Sequence, residues 1–335
     1  MSIDNEKEMT MKSLKCVLGA AALVCLGATH AQVKIALDTP PDVNKSGSYV
    51  WVDAFEKHLK ANGMDTRELP RGAVGGEAEK FDQVSTGLLE VSLSDVKSVA
   101  KVDPFIYGVR LPYIFDDIAH MDRALAKGQV FERVNKQLEP TSAVLLAMVP
   151  IGPQSGIVTT KQAVRTPADM KSLRMRALDD AQIALYQAWG STGTIVPWKE
   201  VPAGLQTGVI DGYLNTALVP VLFGQTDFVK HFTDAGVIIA QRVVLASKGW
   251  YDGLTAKQRA VVQEAVAKGN AANRAWVKDQ AEASLKDLEA KGVSVVRLTQ
   301  AEREPFRKLS QSTYNAGLLS AENLKFWMDV AAATR

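Results

Sequence analysis

Two arginines two residues apart open the chemical reading of this chain. In the segment LRMRA, Leu173 to Ala177, side chains on a strand alternate between faces. Arg174 and Arg176 therefore share one face, and Leu173, Met175 and Ala177 the other. An arginine at a strand end beside a cleft presents a planar fork of donors that matches a carboxylate. The competing assignment is a surface arginine paired with Asp179 or Asp180. A second polar element is RGAVGGE, Arg71 to Glu77, placed after a predicted strand. It lacks both the GKS/T of a phosphate loop and the GxGxxG of a dinucleotide fingerprint. It is either a tight turn into a helix, or a helix start whose amides and Glu77 border a cleft for a polar solute.

Catalytic signatures are not found. Beyond residue 31 the histidines are His58, His120 and His231; none belongs to an HExxH motif, and no two stand at metal-ligand spacing. No GxSxG elbow is present, and Ser94-Asp95 and Ser155-Gly156 lack a recognisable base. The expectation is a protein that is not an enzyme and uses no cofactor.

The elements that must position these residues follow from periodicity. Val33 to Leu37, TRELP, LLEVSLS, IVTT, SLRMRAL, GTIVPW, VIDGYLN and VSVVRL read as strands. Trp51, Phe55 and Leu59 recur every four residues from Ser48 as a helix face, and Phe81, Val84 and Leu88 mark another. Asp179 or Asp180 caps a helix carrying Ile183, Tyr186 and Trp189. Thr166 with Asp169, Thr255 with Gln258 and Thr299 with Glu302 have capping-box spacing. A helical stretch from about 256 to 291 either breaks near Gly269-Asn270 or spans two domains. Alternating strands and helices predict an α/β fold. The absence of a low-complexity linker predicts domains joined by several crossings and a stiff hinge.

The chain has 335 residues, 47% hydrophobic and 23% charged, with 39 Lys plus Arg against 37 Asp plus Glu and a net charge of +2. That composition supports a sizeable core and gives no basic surface for nucleic acid. Lys12 and Lys15, the run CVLGAAALVCLGA and Thr29-His30-Ala31 predict a signal peptide over 1–31, cleaved after Ala31. The acidic stretch before Met11 is unusual there, and a start at Met11 would explain it. Cys16 and Cys25 both fall inside the signal, so the exported chain has no thiol chemistry.

Residues 165 to 216 resemble the signature region of solute-binding proteins of tripartite ATP-independent periplasmic (TRAP) transporters, of the C4-dicarboxylate-binding (DctP) type. ADMKSLRMR is similar to the family's DLKGLKIR, and the LQTGVIDG run that follows Glu200 to its LQTGxxDG. The segments ELPRGAVGGEAEKFDQVSTGLLEVS, VRLPYIF and WYDGLTAKQRAVVQEA extend the resemblance over nearly all of the exported chain. It implies a periplasmic binding protein-like α/β fold: two α/β domains around a ligand cleft, interlocked hinge segments and a long domain-spanning helix. The expected division is 32–155 plus about 247–285 for the first domain and 156–246 plus about 286–335 for the second.

The resemblance assigns Arg176 to a bidentate salt bridge with the substrate carboxylate, Asn215 to the same carboxylate, and Trp198 and Glu77 to the pocket. It makes Glu200 structural and Gly208 and Gly212 turn positions. Tyr213 and Leu214 replace a glutamine and a metal-assisting glutamate, so no metal is expected. Gln154 or Ser155 stands in for a second arginine near Gly156, and Asp38 and Thr39 for a histidine or asparagine. A pocket with one strong cation, Trp198, Tyr213 and either Tyr107 or Phe223 suits a monocarboxylate with an apolar or aromatic body. It disfavours a dicarboxylate or a sialic-acid-like sugar acid. The implied partners are that acid and TRAP membrane permease subunits in the periplasm. The rival readings are a receptor of another transporter or sensor system, and a secreted hydrolase.

Overall fold

The computed structural model describes residues 32–315 and 317–335. The predicted signal peptide, with both cysteines, lies outside them. Eleven strands are present among the described residues: β1 Val33–Ala36, β2 Thr66–Leu69, β3 Val91–Asp95, β4 Ala143–Pro150, β5 Gly156–Thr159, β6 Arg174–Ala177, β7 Thr192–Ile195, β8 Gly212–Asn215, β9 His231–Asp234, β10 Gln241–Ser247 and β11 Ser294–Arg297. They form two mixed sheets, ordered β2-β1-β3-β10-β4 and β11-β9-β5-β8-β6-β7. In the first, β1 runs parallel to β2 and β3, and β10 antiparallel to β3 and β4. In the second, β6 runs parallel to β7 and β8, and β5 antiparallel to β8 and β9.

Each sheet is covered on both faces, so its strands are apolar at successive positions rather than alternately. In β10, Val243 and Leu245 enter one core cluster while Val244 and Ala246 enter the cluster on the other face. In the second sheet Ile157 and Leu214 face one cluster, and Val158 and Tyr213 the other. The helix face predicted from Trp51, Phe55 and Leu59 belongs to Gly47–Ala61, with all three side chains fully buried. The helix expected from Phe81 and Val84 ends at Ser85, and Leu88 lies beyond it, exposed.

The chain crosses between the sheets through the segments after β4 and before β10, and these hold each other. Ile151 N donates to Ala240 O at 2.9 Å, Ser155 N to Ile238 O at 2.8 Å and Val237 N to Ser155 O at 2.9 Å. β10 itself hydrogen-bonds in the first sheet, so that sheet takes up the chain from Gln241 rather than from the expected 247. The helix Ala321–Ala332 also returns to the first core, where Trp327 Nε1 donates to Phe105 O at 2.8 Å.

The third crossing is one helix, Ala256–Ala290, unbroken over 35 residues. Val261, Val262 and Ala265 lie in the first sheet's core, and Leu285 and Leu288 in the second's. Gly269 is not a break. A Cβ there would stand 2.8 Å from the Trp51 indole, so the residue permits close packing of two helices. Its neighbour Asn270 accepts from Trp51 Nε1 at 2.8 Å. One turn on, fully buried Asn273 donates from Nδ2 to Gly47 O at 2.7 Å and Pro150 O at 2.9 Å.

Replacing Asn273 with alanine leaves two buried carbonyls without that donor, each costing about 1–3 kcal/mol. Asn273→Ala is therefore expected to lower unfolding stability by about 2 kcal/mol or more in denaturant titration. An unchanged midpoint would contradict this tie between helix and hinge.

Candidate ligand-binding site

In an open α/β sheet the carboxyl ends of parallel strands border the crevice where ligands dock. Here both sheets present that edge to one cleft. From the first, β1 runs into Asp38 and Thr39, β2 leads to Arg71 and β3 ends at Asp95; antiparallel β10 begins there with Gln241 and Arg242. From the second, β6 carries Arg176 as its penultimate residue, β7 leads to Trp198 and β8 ends with Asn215. The cleft encloses about 620 Å³.

Arg176 is 6% exposed. Its Nε donates to Val196 O at 2.9 Å, and its guanidinium lies 5.6 Å from the Trp198 ring centroid. Neither Asp179 nor Asp180 reaches it: among the described residues it has no ion-pair partner, and its two terminal nitrogens make no hydrogen bond. Burial holds its pKa below that of an ordinary arginine, yet it remains a cation. Tyr186 braces the backbone behind it, donating from Oη to Arg176 O at 3.1 Å and accepting from Leu214 N at 3.1 Å. That contact ties β6 to β8 and so sets Arg176 beside Asn215. Asn215 Oδ1 accepts from Thr216 N at 3.0 Å, and its Nδ2 makes no hydrogen bond among the described residues.

Arg174, on the same face of β6, has a different occupation. Its Nε and Nη2 reach Asp211 Oδ2 and Oδ1, both at 3.0 Å, and Lys161 Nζ approaches Oδ1 at 2.8 Å. The aspartate of LQTGVIDG is thus a fully buried structural anchor. Gly212 beside it is a strand residue, not the expected turn: a Cβ there would lie 2.1 Å from Val158 O. Gly208 does adopt a turn conformation, at φ 72°, and Glu200 is exposed at the start of the helix Val201–Thr207.

The first-sheet wall is far more ionic than a single-cation pocket. Arg242 pairs with Asp38 Oδ2 at 2.7 Å and Asp95 Oδ2 at 2.8 Å. Arg110 reaches Asp95 Oδ1 at 3.4 Å and Asp179 Oδ2 at 3.1 Å. Asp179 is also the N-cap of the helix Asp180–Ala188, so this row of alternating charges crosses from one domain to the other. Burial alone would raise the Asp95 pKa, but the Arg110 and Arg242 charges outweigh it and hold it low. Lys80, buried, pairs with Glu77 Oε1 at 3.0 Å and donates to Leu93 O at 2.6 Å. Glu77 Oε2 accepts from Asp95 N at 2.7 Å. Arg71 donates to the Asp38 carbonyl and lies 5.7 Å from the ring centroid of Phe223, a residue of the opposite wall.

Of the sequence-predicted residues, Arg176, Asn215, Trp198, Glu77, Asp38, Thr39 and Ser155 line the cleft. Gln154 does not: its amide donates outward to Phe115 O and Asp116 O at 3.4 and 3.2 Å. Nor does Tyr213, which is fully buried beneath Trp198, its hydroxyl donating to Gln225 Oε1. Tyr107 borders a separate small cavity, while Phe223 does line the cleft. None of His58, His120 and His231 borders it. Sequence reasoning missed Lys80, Arg110, Gln241 and Arg242, and used Arg71 only as part of a loop. The signal for two of them was a polar Gln-Arg pair opening the apolar run VVLAS. Among the described residues, no group of three or more His, Cys, Asp or Glu side chains is arranged to hold a metal ion.

Comparison with known proteins gives this geometry a context. The family model described as bacterial extracellular solute-binding protein, family 7 (DctP), matches residues 50–318. The chain belongs to that family. It is 27% identical over 275 residues to a solute-binding protein of Verminephrobacter eiseniae, covering 80% of each chain. It is 28% identical over 265 residues to the ectoine/5-hydroxyectoine-binding periplasmic protein UehA of Ruegeria pomeroyi, covering 77% of this chain and 78% of the relative. Among solved structures, a TRAP periplasmic solute-binding protein from Xanthobacter autotrophicus Py2 with bound β-D-galacturonate matches with a TM-score of 0.79 at 24% identity. That match covers 91% of this chain and 100% of the other, and it supports the fold. As a DctP member the chain is an extracellular solute-binding protein with two α/β domains about a cleft.

One consequence concerns acid. Burial alone would raise the Asp211 pKa, but hydrogen bonds from Arg174 and Lys161 outweigh it and bring it down from 3.8 to about 2. A depressed carboxyl pKa contributes stability above the unfolded value and loses it as pH falls through the folded value. The contribution is therefore complete above pH 3.8 and lost toward about pH 2. Asp211→Asn should flatten that part of the acid limb in denaturant melts between pH 2 and 5. An identical pH dependence in the variant would contradict the assignment.

Proposed function

We propose that this chain is the periplasmic receptor of a TRAP transporter, which binds a small organic acid by its carboxylate and hands it unchanged to membrane permease subunits. The observation that carries the reading is Arg176, a buried guanidinium held by Val196 O with both terminal nitrogens unpartnered among the described residues. A buried cation is stable only when paired, and a missing partner is costly. A ligand carboxylate supplies two oxygens at the spacing of the fork, as Asp211 does for Arg174 two residues away.

The rest of the cleft fits reversible capture. Asn215 Nδ2 offers one further donor beside Arg176, and Trp198 with Phe223 gives the bound acid one aromatic side. The acid is a monocarboxylate in this reading. Arg242, Lys80 and Arg110 already have carboxylate partners within the protein, and Arg71, which lines the cleft with only the Asp38 carbonyl as its hydrogen-bond partner, is the first-sheet arginine nearest to a free cation. The apolar or aromatic body expected of the ligand now rests on Trp198 and Phe223 alone. Closure of the two domains removes water from the Arg176 pair and strengthens it, and the signal peptide expected over 1–31 would deliver the chain to the periplasm.

Two substitutions test the reading by titration calorimetry against a panel of small carboxylates. Arg176→Lys keeps a charge but not the fork, and Arg176→Met removes both. Truncating one partner of a buried charged pair costs about 2–5 kcal/mol, so the affinity of the best acid should fall at least about 30-fold in Arg176→Met. The ligand-free melting temperature should hold or rise, because an uncompensated buried charge has gone. Wild-type affinity in both variants would overturn the assignment.

A further inference from the structure

Charge is shared unevenly between the cleft and the rest of the chain. The whole sequence is close to neutral, with 39 Lys plus Arg against 37 Asp plus Glu. Eight cationic side chains nevertheless line the cleft against three carboxylates, Asp38, Glu77 and Asp95. Those three are committed to Arg242, Lys80 and Arg110. Arg71, Lys97, Arg176 and Lys199 have no ion-pair partner among the described residues, and Lys45 has only Asp42, at 3.7 Å. Arg176 is the buried member of this set. Arg71 and Lys199 are exposed, Lys97 is half-buried, and the Lys45 side chain is 44% exposed. Both domains contribute: Lys45 precedes the helix Gly47–Ala61, Arg71 follows β2 and Lys97 follows β3, while Lys199 follows β7.

Hydrated surface cations gain little from direct pairing, so their influence is exerted at a distance. A cleft with low-dielectric walls focuses the field of like charges, raises the local concentration of the opposite ion and speeds its association by about 10–10³-fold. Such a contribution suits this site. A fork that is only 6% exposed accepts a carboxylate in few orientations, which lowers the rate of an unassisted encounter. Charges at the rim of a binding surface alter the association rate and its salt dependence, whereas a buried charged pair governs dissociation.

We propose that Lys45, Arg71, Lys97 and Lys199 form an electrostatic funnel that concentrates anions in the cleft and sets the rate at which the acid reaches Arg176. Arg176 then sets how long the acid stays. The capture rate rests on the carboxylate reading of the previous subsection; the field in the cleft does not.

Collisional quenching of Trp198 fluorescence measures that field in the protein alone. Trp198 lines the cleft and is half-buried, whereas Trp51, Trp189 and Trp327 are fully buried. Subtracting the signal of Trp198→Phe removes these and the half-buried Trp250 and Trp276. Iodide, caesium and acrylamide serve as anionic, cationic and neutral quenchers. At constant low ionic strength, the iodide-to-acrylamide quenching ratio of Trp198 should exceed that of N-acetyltryptophanamide by at least about threefold, and the caesium ratio should fall below it. About 1 M sodium chloride should abolish the iodide excess, because the screening length is then about 3 Å. The triple variant Lys45→Gln, Lys97→Gln, Lys199→Gln keeps Arg176 and should lose at least about half of the excess. Should Lys97→Gln disturb the fold, Lys45→Gln with Lys199→Gln gives the same reading. No iodide excess in the wild type, or an undiminished one in the folded variant, overturns the funnel.

Stopped-flow binding of the tightest acid from the calorimetric panel reads the consequence. At about 10 mM salt the triple variant should associate about tenfold more slowly, with a dissociation rate within about twofold of wild type. An unchanged association rate, or a loss carried by faster dissociation, also overturns the funnel. An iodide excess with no acid bound by the wild type overturns the carboxylate reading and the capture role with it, and leaves the field intact.

Discussion

A guanidinium is largely buried here, at the wall of a cleft, without a carboxylate of its own, and much of the second domain is arranged to make that possible. Arg176 cannot relax toward Asp179, because Arg110 and the first turn of a helix already hold that carboxylate. It cannot swing outward, because Val196 O fixes Nε and Tyr186 fixes the backbone. Nor can it borrow from Arg174's partner, since Asp211 is anchored by two cations on the far side. Every nearby acid is committed elsewhere, and the fork is left with two donors directed by packing alone. Preorganisation of this kind lowers the ordering cost of binding.

The opposite wall follows another logic. Its acids and bases neutralise each other in a row from Asp38 through Arg242, Asp95 and Arg110 to Asp179. The row provides rigidity and a fixed electrostatic background with little net attraction for a second anion.

The sequence carried the second domain well. Alternation in LRMRA singled out Arg176, and the resemblance of the neighbouring motifs to the family implied Trp198 and Asn215; all three line the cleft. The first wall was less legible. Arg242 and Gln241 lie on a strand that enters its sheet after the chain has passed through the other domain, so no local pattern joins them to Asp38 or Asp95. Arg110 lies on a 3₁₀ segment, Pro104–Arg110, whose short run gives no periodicity to read. Counting only cations near the motifs therefore understated the charge of the cleft. Tyr213 failed for the opposite reason: its motif position was right, but on a strand covered on both faces it points into the core behind Trp198. Gln154 is turned away by the hinge hydrogen bonds of its neighbour Ser155.

The uninterrupted helix Ala256–Ala290 has a mechanical corollary. At 1.5 Å per residue it is a rod about 50 Å long, with one end embedded in the first core and the other in the second. No proline or broken turn gives it a pivot, and Gly269, the obvious weak point, is clasped by Trp51. Rotation of one domain against the other must therefore appear as curvature shared over many turns, as long helices ordinarily accommodate it. The helix behaves as a leaf spring in parallel with the hinge. Any rotation of the domains is therefore opposed by the stiffness of this rod as well as by the hinge segments.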